Sequence, residues 1–185
     1  MATSCLDRAR IDAYHSINKG EKMFVFRAVL WGTLFLLAAL IVGPWLAMQF
    51  DASFPALSFG GARYAGILLA AIGIPLIIYC GAIIFMPGKT RPAPYDAGGA
   101  FTIAGPYRYI RNPFMLGVIL ILWAEAIFMS RIAMIAYAFI LTWVIHFWVI
   151  FFEEPALAAA FGKEYAGYKA KVPRWFPKFK RYRGS

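Results

Sequence analysis

Two polar clusters about forty residues apart hold most of the side chains in this sequence that could do chemistry. The first is Gly105-Pro106-Tyr107-Arg108-Tyr109-Ile110-Arg111-Asn112-Pro113, and the second is Glu153-Glu154-Pro155 followed by Phe161-Gly162-Lys163-Glu164-Tyr165-Ala166-Gly167-Tyr168. Asn112 is a good N-cap residue and Pro113 a natural first helical residue. A helix beginning there offers free N–H groups and the positive end of a dipole to a carboxylate or phosphate. Arg108 and Arg111 add charge-assisted donors. On spacing alone, a capped helix anchored to lipid phosphates by interfacial arginines explains this cluster equally well. The second cluster favours a site, because carboxylates such as Glu153 and Glu154 at the edge of an apolar run need partners. His146, seven residues before Glu153, falls on nearly the same helical face, although a lone histidine in an apolar span is more often a packing residue than a ligand. Glu125 lies far from the arginines and reads as a structural hydrogen-bonding group, with Tyr137 its expected partner.

The elements that must position these groups are membrane helices. Of the 185 residues, 62% are hydrophobic and 18% aromatic, and the mean hydropathy is +0.64, far above the roughly 45 to 50% apolar share of a soluble domain. Four runs approach the roughly 20 apolar residues needed to cross a bilayer core: Ala28 to Phe50, Tyr64 to Met86, Pro113 to Met129 and Ile132 to Phe152. The last two are joined so tightly that they should form an antiparallel hairpin. A turn at Ser130-Arg131 would place His146 opposite Met115 and Glu153 opposite Arg108. Of 19 lysines and arginines, five precede the first span, four lie between Pro87 and Asn112 and eight follow Phe152, leaving only Arg63 and Arg131 for the other two loops. The positive-inside rule then puts both termini and both polar clusters in the cytoplasm. The net charge of +10 sits in short segments beside apolar spans, so anionic lipid head groups, and no nucleic acid, are the expected partners.

The remaining segments read as scaffold, lid and anchor. Residues 1–27 form a cytoplasmic or interfacial segment without a cleavable signal pattern, with a short surface helix expected over Cys5 to Lys22. Residues 28–86 form a two-helix scaffold. Its second helix carries Ala62, Gly66, Ala70 and Gly73 on one side, a face suited to close helix contact and able to support a homodimer, and Pro75 should bend it. Residues 87–185 carry the functional core. The Pro/Gly-rich stretch from Pro87 to Gly99 reads as either a plain connector or a structured lid, its length favouring the lid. After Pro155, Leu157, Phe161, Tyr165, Tyr168 and Val172 make one apolar stripe of an amphipathic helix, and the tail from Arg174 to Arg183 reads as an interfacial anchor. No G-x-G-x-x-G string, no nucleophile elbow and no cysteine–histidine set with metal-ligand spacing occurs.

The blocks from Gly105 to Gly117, the hairpin, Glu153-Glu154-Pro155-Ala156-Leu157 and Phe161-Gly162-Lys163-Glu164-Tyr165-Ala166-Gly167-Tyr168 together resemble the isoprenylcysteine carboxyl methyltransferase and phospholipid methyltransferase superfamily, most closely its branch of small bacterial membrane enzymes. The resemblance covers roughly residues 87 to 178. Its implied fold is an all-α integral membrane protein of four transmembrane helices, whose hairpin and C-terminal amphipathic helix form the cofactor site. It implies residence in a bacterial inner membrane and S-adenosylmethionine bound at the cytoplasmic face. A lipophilic methyl acceptor would enter from the bilayer: a phospholipid amine, an isoprenylcysteine carboxylate, or a small hydrophobic thiol or amine. By position it implies cofactor contacts from Arg111, Asn112, Pro113, Glu153, Glu154, Tyr165 and Tyr168, with Asn112 and Glu154 nearest the chemistry; Tyr107, Arg108, Gly117 and His146, which accompany them in the sequence, complete the candidate cofactor-binding set. The sequence departs from many relatives in having Asn112 in place of a histidine and Phe114 in place of a tyrosine.

This chemistry suits the residues. Transfer of a methyl from a sulfonium needs alignment, exclusion of water and a nucleophilic acceptor. The cofactor's carboxylate matches Arg111 and the Asn112 helix start, its ammonium matches Glu153 or Glu154, and tyrosines can face the adenine or the sulfonium. Two rival expectations are a membrane NADPH-dependent reductase of the sterol-reductase type and a small transporter or scaffold subunit.

Overall fold

Apolar runs bounded by polar breaks fold as helices, and every element among the described residues of the computed structural model is helical. Those residues are 30–51, 57, 59–85, 103–178 and 182. The surface helix expected over Cys5 to Lys22 and the Pro87 to Gly99 lid lie outside them. The chain divides into two compact units, Met1–Ala38 and Ala39–Ser185. In the first, residues 30–37 are helical. A π-helical turn, Ala38–Val42, starts at the last residue of the first unit and leads into α1 of the second, Gly43–Gln49. A 3₁₀ turn, Gly60–Tyr64, starts α2, Ala65–Phe85. A second 3₁₀ turn, Gly105–Arg108, precedes α3, Pro113–Met129. Then come α4, Ile132–Trp148, a π-helical turn, Val149–Glu153, and α5, Glu154–Lys171.

Among the described residues, three stretches are long and apolar enough to cross a membrane: Leu30–Gln49, Gly60–Ile83 and Ile132–Lys171. The third of the four expected spans is the 17-residue α3, which at 1.5 Å per residue reaches about 25 Å against a core of about 30 Å. The hairpin turn falls where the sequence places it. Ser130 takes the left-handed conformation (φ 55°) that closes a helix, and its N–H donates to the Ala126 carbonyl.

The small-residue face of α2 is used inside the chain. A Cβ on Gly66 would lie 2.5 Å from the Ala124 carbonyl oxygen, one on Gly73 2.9 Å from the Gly117 oxygen, and one on Gly117 2.7 Å from Ile77 Cγ1. These glycines let α2 and α3 approach backbone to backbone, so Gly66 and Gly73 serve a contact within the chain. Gly66→Ala should cost about 1 to 3 kcal/mol, because the obstructing atom is a main-chain oxygen that cannot swing aside. Unfolding of the purified protein in detergent, with and without the substitution, measures that cost.

Side chains fasten α4 to its neighbours. Trp123 Nε1 donates to Thr142 Oγ1 across the hairpin, and the Tyr137 hydroxyl donates to the Ala39 carbonyl at 2.8 Å. The latter corrects the expected Glu125–Tyr137 pair. Tyr137 reaches the irregular π turn before α1, where helix geometry leaves a carbonyl accessible, and Glu125 Oε2 is buried with no hydrogen-bond partner among the described residues. At the hairpin end, buried Asp51 accepts from Arg131 Nη1 at 2.9 Å and from the Ala133 N–H at 3.3 Å.

Candidate functional site

The first polar cluster is held against α2 by a glycine. Gly105 sits at φ +52°, and a Cβ there would meet Ile83 Cδ1 at 2.6 Å and Tyr79 Cε1 at 2.8 Å. Both the backbone conformation and the close approach exclude other residues. The turn it starts buries Tyr107 against Cys80 and Ile83, and that burial holds the Tyr107 hydroxyl well above its usual pKa, in its protonated form. Arg108 Nε donates to the Ile103 carbonyl at 3.0 Å. The 3₁₀ turn therefore directs Arg108 back onto its own loop, and the pairing of Arg108 with Glu153 expected from equal arm lengths does not form.

Asn112 also departs from expectation. With ψ at 59° its side chain makes no capping hydrogen bond, because capping requires extended backbone that aims the side chain at the first N–H groups. Pro113 has removed one of those donors. The Asn112 carbonyl accepts from the Leu116 N–H, while the amide Nδ2 is buried and unpartnered among the described residues.

The second cluster starts at the last residue of the π turn Val149–Glu153, a wide-turn irregularity that often marks functional positions. Glu153 lies within the turn and Glu154 begins the helix after it, and the two have different surroundings. Glu154 is 3% exposed and receives three cations. Arg174 binds both of its oxygens, Nε to Oε1 at 2.6 Å and Nη2 to Oε2 at 3.0 Å. Arg111 Nη1 lies 3.0 Å from Oε1 and Lys169 Nζ 3.0 Å from Oε2. The Arg111 contact is one of charge without hydrogen-bond alignment, and Arg111 Nε and Nη1 are both buried donors left unsatisfied among the described residues. Glu153 has Oε2 buried with no hydrogen-bond partner among the described residues. Arg111 and Glu154 thus meet at the end of the hairpin to which the sequence assigns them, four positions out of the register foreseen.

Beyond Glu154, α5 turns at Gly162, whose φ of 48° and ψ of −119° break the helical path. Leu157, Tyr165, Tyr168 and Val172 form a buried cluster with Phe161 packed against it, which is the stripe read from spacing. The Tyr168 hydroxyl donates to the Tyr107 carbonyl at 2.7 Å, joining α5 to the first cluster. Gly117 lies instead on the α2–α3 contact.

The basic tail is not simply an interfacial anchor. Its backbone runs antiparallel beside the first cluster, with Arg111 N–H donating to the Pro173 carbonyl, Lys178 N–H to Tyr109 and Tyr182 N–H to Arg108. Arg174 thereby reaches Glu154, and Trp175 Nε1 donates to His146 Nδ1 at 2.9 Å, so His146 holds the tail. Arg174, Trp175 and Lys169 were not legible as site residues. The one local signal is the pair of prolines, Pro173 and Pro177, that stiffens the tail around Arg174 and Trp175. Among the described residues no group of His, Cys, Asp and Glu could hold a metal.

A family model for phospholipid methyltransferase matches residues 62–164, more than half of the chain. The chain belongs to the phospholipid methyltransferase family. No curated protein and no solved structure matches it. Membership makes the protein a methyltransferase, and its apolar helices make it an integral membrane one. The region matched to the phospholipid methyltransferase family contains Arg111, Asn112, Glu153 and Glu154, whereas Tyr165, Tyr168 and Arg174 lie beyond its end.

Proposed function

We propose that this protein transfers a methyl group from S-adenosylmethionine to a lipophilic acceptor drawn from the bilayer, at the cytoplasmic face of a bacterial inner membrane. Methyltransferases of this family generally use that cofactor. The observation that carries the reading is the set of buried, unsatisfied groups around the Glu154 cluster: donors at Arg111 Nε and Asn112 Nδ2, and an acceptor at Glu153 Oε2. Burying polar groups without partners costs free energy, and this set has the polarity of an amino acid's two ends. The cofactor supplies, when bound, an electrophilic methyl on a sulfonium.

The protein's residues account for the rest. Arg111 and Asn112 bind the cofactor's carboxylate, supported by cations that outnumber Glu154 three to one. Glu153 binds the ammonium. Glu154 fixes Arg111 and Arg174 in place, so its role is to position the donors. Tyr165 and Tyr168 wall the site with aromatic surface, and the returning tail excludes water from it. With the cofactor held at its amino acid end, displacement depends on the acceptor's approach along the methyl axis, for which alignment is worth orders of magnitude. Acceptors that fit are a phospholipid amine, an isoprenylcysteine carboxylate, and a small hydrophobic thiol or amine.

Titration of the detergent-solubilised protein with S-adenosylhomocysteine and, separately, with NADPH tests the cofactor. Saturable binding of the first alone is expected. Binding of NADPH alone would replace this reading with that of a reductase.

A further inference from the structure

Seventeen of the chain's 19 cationic residues fall in the two tails and the 87–112 loop, and the remaining two, Arg63 and Arg131, are 68 positions apart. Folding brings both to one cleft at the opposite end of the hairpin. The cleft has a volume of about 250 Å³, and Phe59, Phe128, Met129 and Ser130 also line it. Its two guanidiniums are held differently. Arg131 Nη1 is tied to buried Asp51, while the Arg131 side chain remains 44% exposed. The Arg63 guanidinium carbon sits 5.3 Å from the Tyr64 ring centre and 5.4 Å from that of Phe128, and no ion pair to a carboxylate reaches Arg63 among the described residues. Ring contacts occupy the face of a guanidinium and leave its in-plane N–H donors available.

Two cations against the single charge of Asp51 leave a positive surplus beside aromatic and thioether walls. Phe59, Phe128 and Met129 are themselves well exposed, at 38%, 44% and 41%. A binding partner for this cleft must therefore be amphiphilic: an oxyanion that accepts from planar donors, attached to hydrocarbon that covers the walls. Arginine forks suit phosphate oxygens, and basic pockets at the ends of membrane helices suit lipid head groups. We infer that the Arg63–Arg131 cleft binds the phosphodiester of a bilayer phospholipid, as a site separate from the one that transfers methyl groups. The bound lipid fastens the 3₁₀ start of α2 to the α3–α4 turn, adding to the Asp51–Arg131 lock beside it.

The test uses the full-length protein, delipidated in detergent, and dioctanoyl phosphatidylglycerol as probe. Saturable binding is expected, with an affinity about tenfold weaker in Arg63→Gln, the loss of one charge-assisted contact, and unaltered in Lys163→Gln at the other end of the molecule. Dioctanoylglycerol, which has the chains without the phosphate, should not compete. Inorganic phosphate, which has the charge without the chains, should compete only at far higher concentration. Equal affinity in wild type and Arg63→Gln, equal loss in both variants, or competition by free phosphate as strong as by the lipid would each overturn the assignment. Hydrogen exchange of the unmodified protein provides a reading that does not depend on any variant folding. Lipid should slow exchange at Gly60–Tyr64 and at the Ser130-Arg131 turn. Protection confined to the Glu154 region would overturn the inference.

Discussion

Replacing Glu154 with glutamine is expected to destabilise the protein by about 3 to 5 kcal/mol, the usual cost of removing one partner from a buried ion pair. It should also lower methyl transfer about a hundredfold or more, as displacement of positioning groups by an ångström does. Glutamine has nearly the same volume, so cavity formation does not enter. What changes is that one carboxylate facing Arg111, Arg174 and Lys169 becomes a neutral amide with a donor of its own. Most of the loss comes from the two arginines, whose side chains are 9% and 25% exposed. Lys169, at 50%, contributes little because water screens it. Chemical unfolding in detergent and activity below the variant's unfolding transition measure the two effects separately. A Glu154→Gln protein of near wild-type stability and full activity would show that the cluster is incidental.

The neighbouring substitution should behave oppositely. Glu153→Gln removes a charge that has no hydrogen-bond partner at Oε2, so the fold should tolerate it. Under the proposed reading it should weaken S-adenosylmethionine binding by about ten- to a hundredfold, the loss of one charge-assisted hydrogen bond. The rate at saturating cofactor should change much less, because the contact is made equally before and during transfer. Direct titration with S-adenosylhomocysteine measures the affinity, and steady-state kinetics separate KM from kcat. Wild-type affinity in Glu153→Gln would remove this residue from the site and return the ammonium contact to some other acceptor. Together the two variants divide a pair of adjacent glutamates into one that organises the protein and one that faces its ligand.

The contrast also bears on specificity. A buried carboxylate satisfied by three cations cannot also bind an ammonium without giving up one of them, so the structure leaves Glu153 as the acidic group of the pair with free capacity. That follows from geometry near the π turn Val149–Glu153. In an uninterrupted α-helix, adjacent residues point about 100° apart whatever their identity. Nothing in the letters of Glu153-Glu154 states which one turns toward Arg111.

Much was determined by sequence alone. Composition fixed the membrane class, and apolar run lengths located the helices. The tight Ser130-Arg131 connection set the hairpin, which obliged Arg111 and the glutamates to share one end of it. The spacing of Leu157, Tyr165, Tyr168 and Val172 marked a buried stripe that packs as one cluster. These are local or periodic properties, and a helix's rise and repeat convert them directly into position. Tertiary structure decided the rest. It turned Arg108 onto Ile103, gave the glutamates different partners, spent the glycine face of α2 on α3, and folded the tail back so that Arg174 and Trp175 grip Glu154 and His146. An arginine in a basic tail reads the same whether it meets lipid phosphate or a carboxylate twenty residues earlier. Only the backbone path, bent by a π turn, a left-handed glycine and paired prolines, determines which of the two it reaches.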